Sequence, residues 1–499
     1  MPVPEPTSLT PEQRRAIAVV LSDIPRVADD LGELFAANGH ELSLVGGPVR
    51  DMVLRRQHAD LDLTTDAEPE RVLQITRTWA DTVWPVGIAF GTVGLRKGEV
   101  ILEITTYRSE KYERSSRNPS VSYHGSLAED LARRDFTVNA MAATLPGHEL
   151  IDPFGGLADL RDRVLRTPGT AQDSFSDDPL RILRAARFVA ELGLTPVEEV
   201  RAAMTALAPR LEIVSVERIS AELTKLMLAA RPGGPSAGID LLVETGVADH
   251  FLPEVPRLRL EVDEHHRHKD VYRHSLTVLE QAIALEDRYG LERDLRLRLA
   301  ALLHDIGKPR TRTLLPGGKV AFHHHDVVGG KLARTRLKAL RLPGDVTADV
   351  AKLIELHLRF HGFGNGDWTD SAVRRYVTDA GPLLPRLHAL TRADCTTRNR
   401  AKAERLARNY DELERRIEDL AQREELARIR PDLDGNEIME LLGIGPGPAV
   451  GRAYQHLLGL RMERGPLDHD VAVQELLRWA RDEGVTGGSP PPDGPAISR

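Results

Sequence analysis

The hydrophobic patterning of this chain changes character once, near residue 168, and that change limits what it can fold into. Before it, short apolar runs alternate with helical stretches, and Glu41–Val45, Ala59–Leu63 and Val100–Ile104 have the length and composition of strands. After Pro168 strand signals all but vanish, and helix follows helix with Pro/Gly punctuation at 231–234, 316–318 and 443–447. The pattern predicts a multidomain chain: an N-terminal helical extension over 1–30, an α/β head on a small mixed sheet over 31–165, and all-α structure thereafter. Ser8 to Glu12 supply a cap and a first-turn proline for the first helix. The all-α part divides into a neck over 166–255, a helical domain over 256–400 and a helical tail over 401–486. Residues 487–499, rich in Gly and Pro, are expected to be disordered. A length of 499 residues suffices for about three domains, each with its own core.

A single cysteine, Cys395, excludes an intramolecular disulfide framework and cysteine-built metal sites, so any metal falls to His, Asp or Glu. It also points to a reducing compartment, the cytoplasm. No apolar run approaches the roughly 20 residues that span a bilayer, and the N-terminus has neither the basic start nor the apolar core of a signal peptide. No membrane partner is expected. The formal charge of −8 argues at first against nucleic acid. Affinity for a phosphate backbone depends on local cations, however. These are 57 Arg against 10 Lys, and arginine is the side chain suited to bidentate phosphate contact.

Two groups of residues carry chemistry. In the first, Gly46 and Gly47 follow a strand and precede a helix containing Arg50 and Asp51, where backbone N–H groups can approach a phosphate closely. Asp60 and Asp62, alternate residues of a strand, project from one face. Two such carboxylates repel unless a cation sits between them. The economical answer is a pair of Mg2+ ions, commonly held by carboxylates together with substrate phosphates. Glu103 is a third acid, set among apolar residues, and a carboxylate facing an interior must be paired or metal-bound. Alone, a Gly-Gly is a turn and an Asp-x-Asp is solvated surface. Together, at this spacing, they fit two-metal nucleotidyl transfer.

The second group is a concentration of histidines between 263 and 361: His274, the adjacent His304 and Asp305, His323, His324, His325 and Asp326, then His357 and His361, followed by Asp394. Such ligands suit Mg2+, Mn2+, Fe, Ni or Zn, and a metal there can polarise a phosphate and supply hydroxide for phosphoester hydrolysis. Any one of these residues alone reads equally as a core histidine. His265, His266 and His268 read as a solvated loop.

The head resembles the nucleotidyltransferase superfamily that includes DNA polymerase beta, and within it the class II CCA-adding tRNA nucleotidyltransferases and bacterial poly(A) polymerases. The segments that carry the resemblance are Gly46–Asp51, Asp60–Thr65, Arg133–Met141, Asp152–Gly156 and Asp177–Arg181 with Arg184, Arg187 and Phe188, in the family's order. The resemblance implies that Asp60 and Asp62, with Glu103 as the third acid, hold two catalytic Mg2+ ions. It places Gly46, Gly47, Arg50 and Asn139 in nucleotide binding, and Arg134 and Asp135 against the ribose 2′-hydroxyl. It assigns Asp178 and Arg181, with Arg184 beside them, to reading the base. A carboxylate beside a guanidinium matches the N4 amino group and the O2 and N3 acceptors of cytosine, or the N6 amino group and N1 of adenine. Asp177 stands where family members usually carry Glu. On spacing alone, Arg181, Arg184 and Arg187 would form a solvated stripe on a charged helix. Glu217, Arg218 and Ile219, with Glu222 and Lys225, match the family's next helical motif and are expected to support the base-reading face.

Leu303–Pro309 resembles the signature of HD-domain phosphohydrolases, which implies His274, His304, Asp305 and Asp394 as ligands of a divalent metal, with His323 and His325 as further candidates. The implied function is template-independent addition of C, C and A to tRNA 3′ ends from CTP and ATP, releasing pyrophosphate, with phosphohydrolase side activity in the HD domain. The partners are tRNA, CTP and ATP. A poly(A) polymerase on the same head is the near alternative. An HD metal-dependent phosphohydrolase with an RNA-binding head is the alternative of another class. Arg-rich stretches at 161–187 and 398–430 could face RNA, although the second reads better as a salt-bridge-laced helix pair. The glycine- and proline-rich stretch Leu442–Pro448 resembles a helix start in the family's tail and reads equally as a helix–helix corner.

Overall fold

The computed structural model describes residues 11–56, 60–85, 91–111, 120–123, 125–260, 270–316, 319–362, 368–395, 400–424 and 430–485. The expected cap at Ser8, the loop of His265, His266 and His268, and the disordered end at 487–499 lie outside the described residues. The chain divides into two compact units, Met1–Arg259 with Arg336–Leu342, and Leu260–Thr335 with Pro343–Arg499.

The first unit carries β1 (Leu42–Val45), β2 (Asp60–Thr65), β3 (Thr82–Trp84), β4 (Thr92–Lys97), β5 (Val100–Thr106), β6 (Arg108–Lys111), β7 (Ser120–Tyr123), β8 (Ala142–Leu145) and β9 (Leu150–Ile151). Seven of them form one sheet in the order β3-β4-β5-β2-β1-β8-β9, while β6 and β7 pair as a hairpin. β2 and β5 run parallel, with Asp62 opposite Glu103, and every other neighbouring pair in the sheet is antiparallel. The period-two rule then decides the faces. Leu61, Leu63, Leu102 and Ile104 are buried on the core side, so Asp60, Asp62 and Glu103 all face outward. This corrects the expectation for Glu103. Its apolar neighbours are the buried alternates of its own strand, and its carboxylate points to the open face with the two aspartates.

The segment leading into β8 is anchored by aromatics. Phe136 packs edge-on against Phe175 at 6.4 Å and Phe188 at 5.6 Å between centroids. All three are buried, and removing one such ring costs about 3–5 kcal/mol. The contact seats Arg133–Asn139 against the helices Ala171–Asp177 and Leu180–Leu192. Between 156 and 192 the Arg-rich stretch folds as three helices, the first being Gly156–Asp162. Strands do recur after 168: Thr195–Pro196 pairs in parallel with Val164–Leu165, and Arg312–Leu315 pairs with Lys319–Phe322. These pieces are two to four residues long, too short to show a period.

In the second unit, helices Val271–Leu285, Leu295–Leu303, Gly344–Leu356 and Leu384–Asp394 bury apolar faces against one another. The stretch expected as a helix pair near 398–430 is one helix, Arg400–Glu424, with Arg415 bonded to Glu412 and Asp419. Three helices, Gly435–Leu442, Pro448–Arg464 and His469–Asp482, enclose a separate small core around Leu457 and Leu476. Leu442–Pro448 is a helix–helix corner: one helix ends there at left-handed Gly443 and the next starts at Pro448. Among the described residues, no helix is long and apolar enough to cross a membrane.

Candidate functional site

The open face of β2 and β5 forms one wall of a cavity of about 360 Å3, a size that accepts a nucleotide. Asp62 and Glu103 line it. Crowding by protein atoms desolvates both carboxyls and raises their pKa values, and the neighbouring Asp60 pushes each further up. Arg134 opposes the rise at Asp62. Three acids on one face, two of them with raised pKa values, form a donor set that an oxygen-loving divalent cation satisfies.

Gly46 ends β1 at φ 75°, and a Cβ there would lie 2.7 Å from Nη1 of Arg134. The glycine therefore both makes the left-handed turn and leaves room for the guanidinium. Arg134 lines the cavity, and its buried Nε meets no hydrogen-bond partner among the described residues. Arg50 is placed differently. It is buried, makes two bonds of 2.9 Å to Asp51 and one of 2.6 Å to Asn139, and lies over the Phe188 ring. Asn139 in turn donates to Asp135 at 3.0 Å. Arg50 and Asn139, expected at the nucleotide, are not among the residues lining the cavity; through Asp135 they hold one that is. Gly47 opens the helix Gly47–Val53.

Asp135 accepts from Arg184 Nε at 2.7 Å and from the backbone N–H of Phe136 at 2.8 Å. Burial works against its charge, but Arg184 and the Asn139 bond outweigh burial and hold its pKa down to about 2. The arginine stripe expected to be solvated is fully engaged. Arg184 takes Asp135, Arg187 takes Glu222 at 2.7 Å and Glu191 at 2.9 Å, and Arg181 donates to Ser174 Oγ and to the carbonyl of Arg133. Asp178 and Arg181 both face the cavity. Two further residues that spacing alone does not single out also line it, Arg133 and Arg218. Arg218 sits in the helix Val216–Met227 and pairs with Asp178.

The second unit gathers ligands from helix ends. His274 lies in the first turn of Val271–Leu285, His304 follows Leu295–Leu303, His325 opens the helix His325–Ala339, His357 follows Gly344–Leu356, and Asp394 ends Leu384–Asp394. His274, His304 and Asp305 form one buried triad of metal-competent atoms, and Asp305, His325 and His357 form another. Asp394 Oδ1 stands 2.9 Å from His274 Nε2 and 3.4 Å from His304 Nε2. One oxygen of Asp305 faces His304 at 3.2 Å and Lys308 at 2.8 Å; the other faces His325 at 3.4 Å. Gly307 lets this turn close on its neighbour, since a Cβ there would meet the carbonyl oxygen of His325 at 2.1 Å.

Nδ1 of His304, His325 and His357 is tied to a carbonyl three residues earlier, at 2.9, 2.8 and 2.6 Å. When neutral, each ring therefore presents Nε2 as a lone pair to the cluster. The buried Nε2 of His357 has no hydrogen-bond partner among the described residues. Burial works against a charge on His304, but Asp305 and Asp394 raise its pKa to about 10, whereas burial and the nearby His304 push His357 down to about 4. The cluster calls for positive charge, and a divalent cation would supply it with the histidines neutral. The donor set fits such a cation. His357 had stood in the sequence without an assigned role. His323 is exposed and outside both triads, and the side chain of His361 lies outside the described residues.

Comparisons with known proteins find family matches in both parts of the chain. Residues 42–166 match the profile described as "Poly A polymerase head domain", 193–258 the "Probable RNA and SrmB- binding site of polymerase A", and 271–399 the "HD domain". The chain is 33% identical to the A-adding tRNA nucleotidyltransferase of Deinococcus radiodurans over 88% of its own length and 96% of that protein's. It is 32% identical to the CCA-adding enzyme of Anoxybacillus flavithermus over 90% of its length and 94% of that protein's. The crystal structure of the Bacillus stearothermophilus CCA-adding enzyme in complex with CTP superposes with a TM-score of 0.62 at 25% identity, covering 92% of this chain and 98% of that one. On these likenesses and on the shared architecture, the chain belongs to the tRNA nucleotidyltransferase family of A-adding and CCA-adding enzymes.

Proposed function

We propose that this protein adds C, C and A to the 3′ end of tRNA from CTP and ATP, without a nucleic-acid template. The observation that carries the reading is the presence in one cavity of metal-competent acids and a carboxylate–guanidinium pair, Asp178 and Arg181. Asp60, Asp62 and Glu103 would hold two Mg2+ ions. Bound there, Mg2+ supplies charge stabilisation for the triphosphate and lowers the pKa of the attacking 3′-hydroxyl. That hydroxyl attacks the α-phosphate and pyrophosphate leaves. Arg134 and Asp135, the latter held anionic, would meet the ribose 2′-hydroxyl, and Arg133 adds positive charge to the same cavity. Asp178 accepts from the exocyclic amino group of the base while Arg181 donates to its ring acceptors. A cytoplasmic location, with its tRNA and nucleotides, accompanies this reading.

A second activity has its own support. The two triads share Asp305, and divalent cations held by His274, His304, Asp305, His325 and His357 would supply the chemistry of phosphoester hydrolysis. A narrower transferase reading, A addition alone, is favoured by the name of the Deinococcus relative. Single-nucleotide assays on tRNAs ending before CCA and after CC separate the cases. Incorporation of CTP on the first and ATP on the second supports CCA addition. ATP incorporation on the second with no CTP incorporation on the first means A addition, and long ATP tails on arbitrary RNA mean poly(A) synthesis.

A further inference from the structure

The helix Val216–Met227 is expected to brace the base-reading face, yet its Arg218 also reaches into the cavity. Nη2 of Arg218 donates to Oδ2 of Asp178 at 2.8 Å. The other oxygen, Oδ1, accepts the backbone N–H of Leu180 at 3.1 Å. The carboxylate is therefore pinned at both ends, by the turn that starts its own helix and by a cation from another. Oδ2 retains a second lone pair for a ligand. Arg181 beside it is pinned as well, by Ser174 Oγ at 2.8 Å and the carbonyl of Arg133 at 2.6 Å.

We propose that Arg218 is a positioning residue for nucleobase selection: it holds Asp178 as a fixed hydrogen-bond acceptor, so the cavity takes bases with an exocyclic amino group and turns away those with a carbonyl at that position. This rests on the reading of Asp178 and Arg181 as the base-contacting pair. Cytosine and adenine both present an amino donor next to a ring-nitrogen acceptor. Uracil and guanine reverse both, placing a carbonyl oxygen against the carboxylate and an N–H against the guanidinium. A pinned acceptor makes that mismatch costly because neither group can be satisfied, whereas a carboxylate free to rotate can swing away and admit the wrong base. Discrimination therefore depends on what holds Asp178 more than on its presence alone. Arg218 is 43% exposed and Asp178 25%, so the pair contributes little to stability and its loss is readable as specificity.

The test measures kcat/KM for CTP and for UTP on tRNA lacking its 3′ CCA, with the intact chain and with Arg218→Met, Arg218→Lys and Asp178→Ala, alongside melting temperatures. Arg218→Met is expected to lower the CTP-to-UTP ratio at least tenfold, through a higher KM for CTP and a lower one for UTP. Arg218→Lys, which keeps a donor, recovers most of the ratio. Equal losses for CTP and UTP in Arg218→Met, or an unchanged ratio, overturn the proposal. If Asp178→Ala lowers the ratio while Arg218→Met does not, the base-reading role stands and the role of Arg218 alone falls. If Asp178→Ala also leaves the ratio unchanged, both fall; if the intact chain transfers no nucleotide, the proposed function falls with them.

Discussion

The two candidate metal sites reach the same end by opposite routes. In the head, the acids stand on adjacent parallel strands, open to solvent in a large cavity, with positions set by backbone register. In the second unit, the four histidines and Asp305 are buried and come from the ends of separate helices, and the rings of His304, His325 and His357 are each aimed by a bond to a backbone carbonyl. Three of the candidate ligands, His304, His357 and Asp394, stand at helix C-termini, whose partial negative charge favours a cation. The open site leaves space for a substrate to complete the coordination, as is usual for Mg2+ bound together with phosphates. The closed site would supply most of a cation's ligands from the protein.

The largest expected effect separates the sites by function. Asp62→Asn removes a charge from the open face and should lower nucleotide addition by about 10³-fold or more, the size of several kcal/mol of transition-state stabilisation. Metal content measured on the purified protein after dialysis should not change, because the closed site is intact. Loss of that metal in Asp62→Asn would mean that the two centres are not independent.

The converse substitution acts on stability. His304 is fully buried beside Asp305 and Asp394, so His304→Ala leaves two like charges without their partner. A loss of about 3–5 kcal/mol in the second unit is expected, together with its bound metal. A melting curve and a metal analysis read both, and addition to tRNA should stay within a few-fold wherever the head remains folded.

Acid sharpens the contrast further. His388 is buried against Tyr289 and Tyr376, and burial pushes its pKa down to about 4. Its folded value lies below the unfolded value of about 6.5, so the stability it contributes is complete above that pH and is lost as pH falls to about 4, up to about 3 kcal/mol. Asp135 is depressed to about 2, so its contribution is complete above the unfolded value of about 3.9 and disappears only toward pH 2. Hydrogen exchange at pH 7.5 and 4.5 should show protection falling first in the second unit, and His388→Phe should flatten that dependence. Equal loss in both units would contradict the assignment.

The smallest effect tests the open site's backbone. Gly46→Ala forces a side chain into a left-handed turn against Arg134, at a cost of about 1–2 kcal/mol. The KM for nucleotide should rise through the displaced guanidinium, with little change in the melting of the second unit.

The same contrast explains what could be read in advance. Asp60, Asp62 and the glycine turn lie within a short stretch, so alternation along one strand placed both aspartates on one face before any tertiary contact was known. Glu103 was legible as a third acid but not in its direction, because flanking apolar residues look the same whether the acid faces the core or opposes it. The strands Thr82–Trp84 and Ala142–Leu145 are too short to carry a period. In the second unit His304 and Asp305 stand out by adjacency. His357 shares Asp305 only because two distant helices end at the same place, and nothing local marks it. Arg218 is marked in the sequence by its helical motif, but its partner Asp178, forty residues away, is set against it only by the fold.

Whether the open face of β2 and β5 performs CCA addition is read most directly from extension of a tRNA lacking its 3′ CCA in the presence of CTP and ATP. The intact chain should lengthen it by C, C and A and stop, while the Asp60→Ala/Asp62→Ala double variant leaves it unextended. Extension by the double variant, or failure of the intact chain to incorporate C before A, would contradict the account.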